Sequence, residues 1–170
     1  MINLESQQPR HSVSVAGVIT DDRGRVLLIQ RADNNRWEPP GGVLELGESI
    51  TDGLRREVRE ETGLDVEPVG LTGVYKNMNR GIVALVFRCK ITGGDLTTTD
   101  EASAFRWADG TQIADLMDQA YAIRVLDALH DSAPAAVRPH DGVHLLLAHT
   151  PRAGDPAVPL HRTHLSCESP

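Results

Sequence analysis

The sequence predicts an α/β (α+β) fold, and three observations predict it. Short apolar, β-branched runs lie on both sides of one amphipathic stretch at residues 50–62. That stretch opens on Ser49, a good N-cap, and stops at Gly63, well placed as the C′ glycine. A second helical pattern at residues 119–130 follows the last strand candidate. The chain has 170 residues and a net charge of −7, with a pI near 5.4. This length suits one domain with a proper core, assigned to residues 1–131, followed by a C-terminal extension at residues 132–170. The acidic balance implies no surface for polymeric nucleic acid. No apolar run approaches the ~18 residues of a membrane span, and residues 1–12 lack the apolar centre of a secretion signal. Cys89 and Cys167 form neither a disulfide framework nor a zinc motif. A cytoplasmic protein with no membrane partner is expected.

Residues 13–19 read as a strand with Val13 and Val15 on one face. Asp21-Asp22-Arg23-Gly24 is a turn, and the apolar run at residues 26–29 fits a buried strand. Together they predict a hairpin, ended by Gln30 and Arg31. A polar loop at residues 33–36 leads into Trp37-Glu38-Pro39-Pro40-Gly41-Gly42. Its prolines stiffen the backbone, and its glycines let the backbone approach a neighbour closely.

The helix at residues 50–62 carries Glu57, Glu60 and Glu61. At i, i+3 and i+4 they share one side. An acidic helix cluster is most often a solvated face. The helical wheel argues otherwise here. Ile50, Leu54 and Val58 form the apolar stripe, with Glu57 and Glu61 inside or beside it and Glu60 at its border. Arg55 and Arg59 take the solvent side. Carboxylates crowded against a buried face need a compensating cation. Arg56 is one candidate. A hard divalent ion, which prefers several carboxylate oxygens, is the better one.

Residues 66–75 and 82–90 are further strands, joined by a turn at residues 77–81. Residues 82–87 are almost wholly apolar and belong at a sheet centre. Residues 104–108 form a short strand carrying Trp107. Thr111 is the expected N-cap of a short helix through Met117. In the helix at residues 119–130, Ala122, Val125, Leu126 and Leu129 point inward. Residues 132–139 read as a Pro/Ala linker and residues 143–147 as an added strand. Residues 150–170, with Pro151, Pro156, Pro159 and Pro170, read as extended or disordered. His140, His144 and His149 match no metal spacing.

Gly42, Glu48, Arg56-Glu57-Val58, Glu60-Glu61 and Gly63-Leu64 stand at fixed intervals. This pattern resembles the signature box of the Nudix hydrolases, with every defined position filled. The resemblance covers about residues 12–130. It implies an α/β/α sandwich: a mixed central sheet, a catalytic helix on one side and the C-terminal helix on the other. It also implies metal binding by Glu57, Glu60, Glu61 and a backbone carbonyl of Gly41 or Gly42. Glu101, in a loop a few residues before Trp107, is an expected further ligand or base. Arg56 is expected to pair with Glu48 or the neighbouring glutamates and fix their rotamers. Arg31 is a candidate for contact with a substrate phosphate.

The implied chemistry is hydrolysis of a pyrophosphate bond with Mg²⁺, or Mn²⁺ as the alternative. The substrate class is a nucleoside diphosphate linked to another moiety, with a nucleoside triphosphate as the default. A proline sixteen residues beyond the box, associated with ADP-ribose hydrolases, is absent, since that position is Arg80. Glu61, Glu101 and Glu48 are all candidates for the general base. The alternative is a nucleotide-sensing domain without turnover, although such domains usually lack box glutamates. The assembly expected is a monomer or homodimer.

Overall fold

The computed structural model describes residues 10–130 and 134–146. In chain order they form β1 (Ser12–Ile19), β2 (Val26–Arg31), β3 (Trp37–Glu38), β4 (Gly41–Val43), α1 (Ile50–Thr62), β5 (Leu64–Asn77), β6 (Ile82–Gly94), β7 (Ala102–Ala108), α2 (Gly110–Leu116), α3 (Gln119–Ala128) and β8 (Ala136–His140). A mixed five-stranded sheet has the order β4-β1-β6-β5-β8, and a three-stranded sheet has the order β3-β2-β7. β1 runs parallel to β6, and β8 runs parallel to β5. The apolar strand β6 takes the central position, as its composition requires.

Both faces of the sheets are covered, which explains the unbroken apolar runs of β1 and β2. Alternate residues divide between two cores. Val15, Ile19 and Leu27 pack with Leu54 and Val58 of α1. Ala16, Val18, Val26 and Leu28 pack with Ile113 of α2 and Val125 of α3. The layers are therefore helix, sheet and helices, the sandwich expected. Gly17 matters to the first interface. A Cβ there would stand 3.1 Å from Val58 Cγ2 and 3.3 Å from Cys89 Sγ, so its absence lets α1 seat close to β1.

Four local expectations need correction. β1 and β2 do not form a hairpin: they share one bridge, Thr20 to Val26, and then enter different sheets. The turn between them is as expected, closed by Asp21, whose carboxylate accepts from the backbone N–H of Arg23 and Arg25. The N-cap of α2 is Asp109 rather than Thr111. Its side chain accepts from Thr111 and Gln112 N–H, and the Gln112 side chain closes a full capping box. Ile50, the first residue of α1, is exposed instead of buried. Residues 143–146 carry only an isolated bridge from Leu145 to His140, and residue 147 lies outside the described residues. The added strand lies instead at Ala136–His140, mostly within the stretch read as a linker. Its pairing with β5 is reinforced by Arg138, which donates to Asp127 on α3 at 2.7 and 2.8 Å. Asp127 also accepts from the buried Tyr75 hydroxyl at 2.8 Å. His149 and residues 150–170 lie outside the described residues. Among the described residues no helix is long and apolar enough to cross a membrane.

Leu54 is fully buried in the α1 interface. Leu54→Ala is expected to lower unfolding free energy by about 2–5 kcal/mol, read from urea denaturation midpoints at constant slope.

Candidate active site on helix α1

Local sequence sets the register of α1. Ser49 Oγ accepts from Asp52 N–H at 3.2 Å and donates to its carboxylate at 2.6 Å. Gly63, at φ 76°, ends the helix and returns its N–H to the Arg59 carbonyl. With the ends fixed and Leu54 and Val58 in the core, the three glutamates part company. Glu57 is 8% exposed and Glu61 only 2%. Glu60 stays outside, its side chain 53% exposed.

Arg56 holds the outer part of the cluster together. Its Nε and Nη2 grip both oxygens of Glu48 at 3.0 and 2.7 Å. Its Nη1 reaches Glu57 at 2.9 Å and Glu60 at 3.0 Å. Glu48 also takes the Glu45 N–H at 2.7 Å. These donors, the arginine foremost, hold the Glu48 carboxyl down at about 2. Glu57 shows the opposite direction: burial pushes it up, and the nearby Glu60 and Glu101 charges add to that.

Glu61 lies deepest. It accepts the Gly41 backbone N–H at 2.6 Å. Among the described residues no cation is within ion-pair distance of it. Burial first, then the neighbouring Glu38 and Glu57 charges, push its carboxyl up to about 8. The Trp37–Gly42 segment, expected as a loop, provides the wall as the short strands β3 and β4. Gly42 needs its missing Cβ, since a methyl group there would overlap the Glu57 carboxylate.

Glu57, Glu61, Glu60, Arg56 and Glu48 are thus brought together on and beside α1, with Gly42 against them. Glu101 is exposed, yet near enough for Glu57 to feel its charge. Arg31 is engaged by Asp33 at 2.8 and 2.9 Å and by Glu38 at 3.0 Å. Its charge also reaches Glu61. Sequence reasoning missed Glu38, whose half-enclosed carboxylate stands next to this group. Nothing in its local sequence context marks it.

The donor set suits a hard cation. It consists of carboxylates, and burial resists ionisation of its innermost members, Glu57 and Glu61, which a nearby cation would offset. Among the described residues no three acidic or metal-ligating side chains are already drawn into a coordination shell. Arg56 occupies Glu57 and Glu60 instead.

The Glu61 shift has a consequence for the metal-free protein. The folded value of about 8 lies above the ordinary carboxylate value of 4.5. The contribution to stability is therefore fully present below about 4.5 and lost as pH rises through about 8. Glu61→Gln should flatten that dependence. At pH 8.5 in chelator its melting temperature should exceed wild type by roughly 5 °C, with little difference at pH 5.

Comparison with known proteins agrees with this geometry. A model of the NUDIX domain matches residues 10–129. A MutT-like protein of Streptomyces ambofaciens is 57% identical over 140 residues, 82% of this chain and 90% of that protein. A human 8-oxo-dGDP phosphatase is 35% identical over 135 residues, 78% of this chain but 36% of that protein. The crystal structure of an ADP-ribose pyrophosphatase from Streptococcus suis is similar with a TM-score of 0.65. At 21% identity, covering 75% of this chain and 99% of that one, it bears on the fold alone. A complete box seated on α1, inside a domain match that spans the sheets and helices around it, means that this chain belongs to the Nudix hydrolase family.

Proposed function

We propose that this protein hydrolyses a pyrophosphate bond in a nucleoside diphosphate linked to another moiety, a nucleoside triphosphate or related nucleotide, in the presence of Mg²⁺ or Mn²⁺. One observation carries the reading furthest. Glu61 is enclosed, hydrogen-bonded to a single backbone N–H, and set among carboxylates with no cation of its own. A divalent ion shared with a diphosphate complements that arrangement. The relatives' names support a nucleotide: one is MutT-like, and another is named for 8-oxo-dGDP.

Glu57, Glu60 and Glu61 would hold the ion, with the Gly42 carbonyl and Glu101 as further ligands. Such an ion supplies charge neutralisation on the diphosphate and makes water easier to deprotonate near neutral pH. The protein's own groups do the rest. Arg56 is a positioning residue: anchored on Glu48, it sets the rotamers of Glu57 and Glu60. Glu48, held near 2, is a weak proton acceptor at neutral pH and acts better as that anchor. Glu61 and Glu101 are the stronger candidates to take the proton of the attacking water. Arg31 can exchange its exposed partner Asp33 for a phosphate oxygen. The products are a nucleoside monophosphate and a phosphorylated fragment. The reading is of a cytoplasmic enzyme, acting as a monomer or homodimer.

The test is hydrolysis of a nucleotide panel with Mg²⁺ or Mn²⁺, with products identified by mass. Glu60→Gln and Glu61→Gln should each lower kcat by about two to three orders of magnitude with the circular dichroism spectrum unchanged. Turnover near wild type in both would sink the assignment. Nucleotide binding without turnover in the wild-type protein would point to a sensor instead.

A further inference from the structure

Arg124 stands apart from the α1 cluster. It projects from α3, is only 9% exposed, and lines a cleft with Ser14, Ala16, Glu38, Gly42, Ile82 and Tyr121. Among the described residues no carboxylate lies within ion-pair distance of it. Its Nη2 meets Nε2 of the fully buried His140 at 3.0 Å. A guanidinium can only donate, so Nε2 accepts and His140 carries its proton on Nδ1. That Nδ1 and Arg124 Nε are both enclosed without partners. The guanidinium sits 4.5 Å from the Tyr121 ring centroid and 5.7 Å from that of Tyr75. Two aromatic rings and a histidine therefore fix its position, and among the described residues Nη1 has no protein acceptor.

An enclosed cation without a counter-ion is costly to fold. The cost is understandable where a ligand supplies the acceptor. Glu38 is the second half of the argument. It lines the same cleft, and its Oε1 is taken by Arg31 at 3.0 Å, which leaves Oε2 to accept from a ligand. The two residues feel one another's charge but do not pair. One cleft thus presents a fixed donor and a fixed acceptor. Its wall includes Gly41 and Gly42, the residues that touch Glu61 and Glu57.

We infer that Arg124 and Glu38 select a nucleobase with a lactam edge: a ring carbonyl for Arg124 beside a ring N–H for Glu38. Hypoxanthine, guanine, uracil and thymine carry that edge. Adenine and cytosine present the reverse order, an amino group beside a bare ring nitrogen, which leaves both protein groups without a partner. The inference rests on the preceding reading that the substrate is a nucleotide. His140 acts through Arg124 and is a positioning residue.

The test uses inosine and adenosine triphosphates, which differ only at this edge. Wild-type protein should prefer inosine triphosphate by about tenfold or more in kcat/KM, mainly through KM. Arg124→Gln and Glu38→Gln should each shrink that ratio at least about threefold, with the loss concentrated on the inosine substrate. Equal use of the two substrates by wild type overturns the inference. So does an Arg124→Gln protein that loses both substrates equally, which would mean a phosphate contact or a purely structural arginine. If Arg124→Gln fails to fold, the wild-type ratio and Glu38→Gln decide. If no nucleotide is hydrolysed at all, the functional reading falls. Calorimetric binding of inosine against adenosine monophosphate then decides the cleft separately, equal affinity overturning it.

Discussion

The seating of α1 on β1 governs the rest of this molecule. Gly17 offers no side chain, so Val58 and Leu54 press directly onto the strand. A helix has only 3.6 residues per turn, and that close seating drags its neighbours along. Glu57 and Glu61 follow Val58 and Leu54 around the wheel and end up enclosed. Glu60 falls one step further and stays wet. The same apolar contact that stabilises the helix therefore creates an electrostatic problem on its flank. A larger residue at position 17 would lift the helix and dissolve both.

The protein answers that problem unevenly. Arg56 spreads one guanidinium over Glu48, Glu57 and Glu60, and it can do so because its forked donors serve several carboxylates at once. Among the described residues, Glu61 receives only the Gly41 N–H. Arg56 gives each outer glutamate a charged donor, whereas Glu61 has none among the described residues. That residual imbalance is the feature on which the proposed divalent-ion site rests. If Glu61 serves the proposed reaction, stability and activity pull against each other here, because its enclosure is costly.

Much of this was legible in the sequence, for identifiable reasons. Periodicity put Leu54 and Val58 inside and placed Glu57 and Glu61 beside them, and capping residues fixed the ends of α1. The apolar run of β6 marked the sheet centre. Other features were hidden because they depend on distant pairing. Residues 13–29 read as a hairpin, but β1 finds β6 and β4 while β2 finds β7 and β3. Local pattern cannot report partners some seventy residues away. The stretch Ala136–His140 looked like a linker because Pro139 and Ala136 are poor strand formers. It forms a strand because β5 offers an open edge and Asp127 offers Arg138 an ion pair. Arg124 left a trace, since it lies beside Val125 on a face otherwise apolar. Its meaning required His140, which looked like one of several stray histidines.

This asymmetry separates chemistry from recognition. The carboxylates come from one contiguous box, so helix geometry alone fixes their mutual positions. The cleft opposite is assembled from β1, β3, β4, β6 and α3, with His140 of β8 behind it. No single segment determines its shape, and no short motif can encode it. The two meet at Gly41 and Gly42, whose backbone faces both, and at Glu38, whose charge reaches Glu61. A substitution at Arg124 or Glu38 can therefore redirect which ring is accepted while the acidic helix stays intact. A substitution at Gly42 cannot, because a side chain there would intrude on Glu57 and on the cleft at once. On the proposed reading, this glycine wall is the element that would couple binding of a base to alignment of a diphosphate.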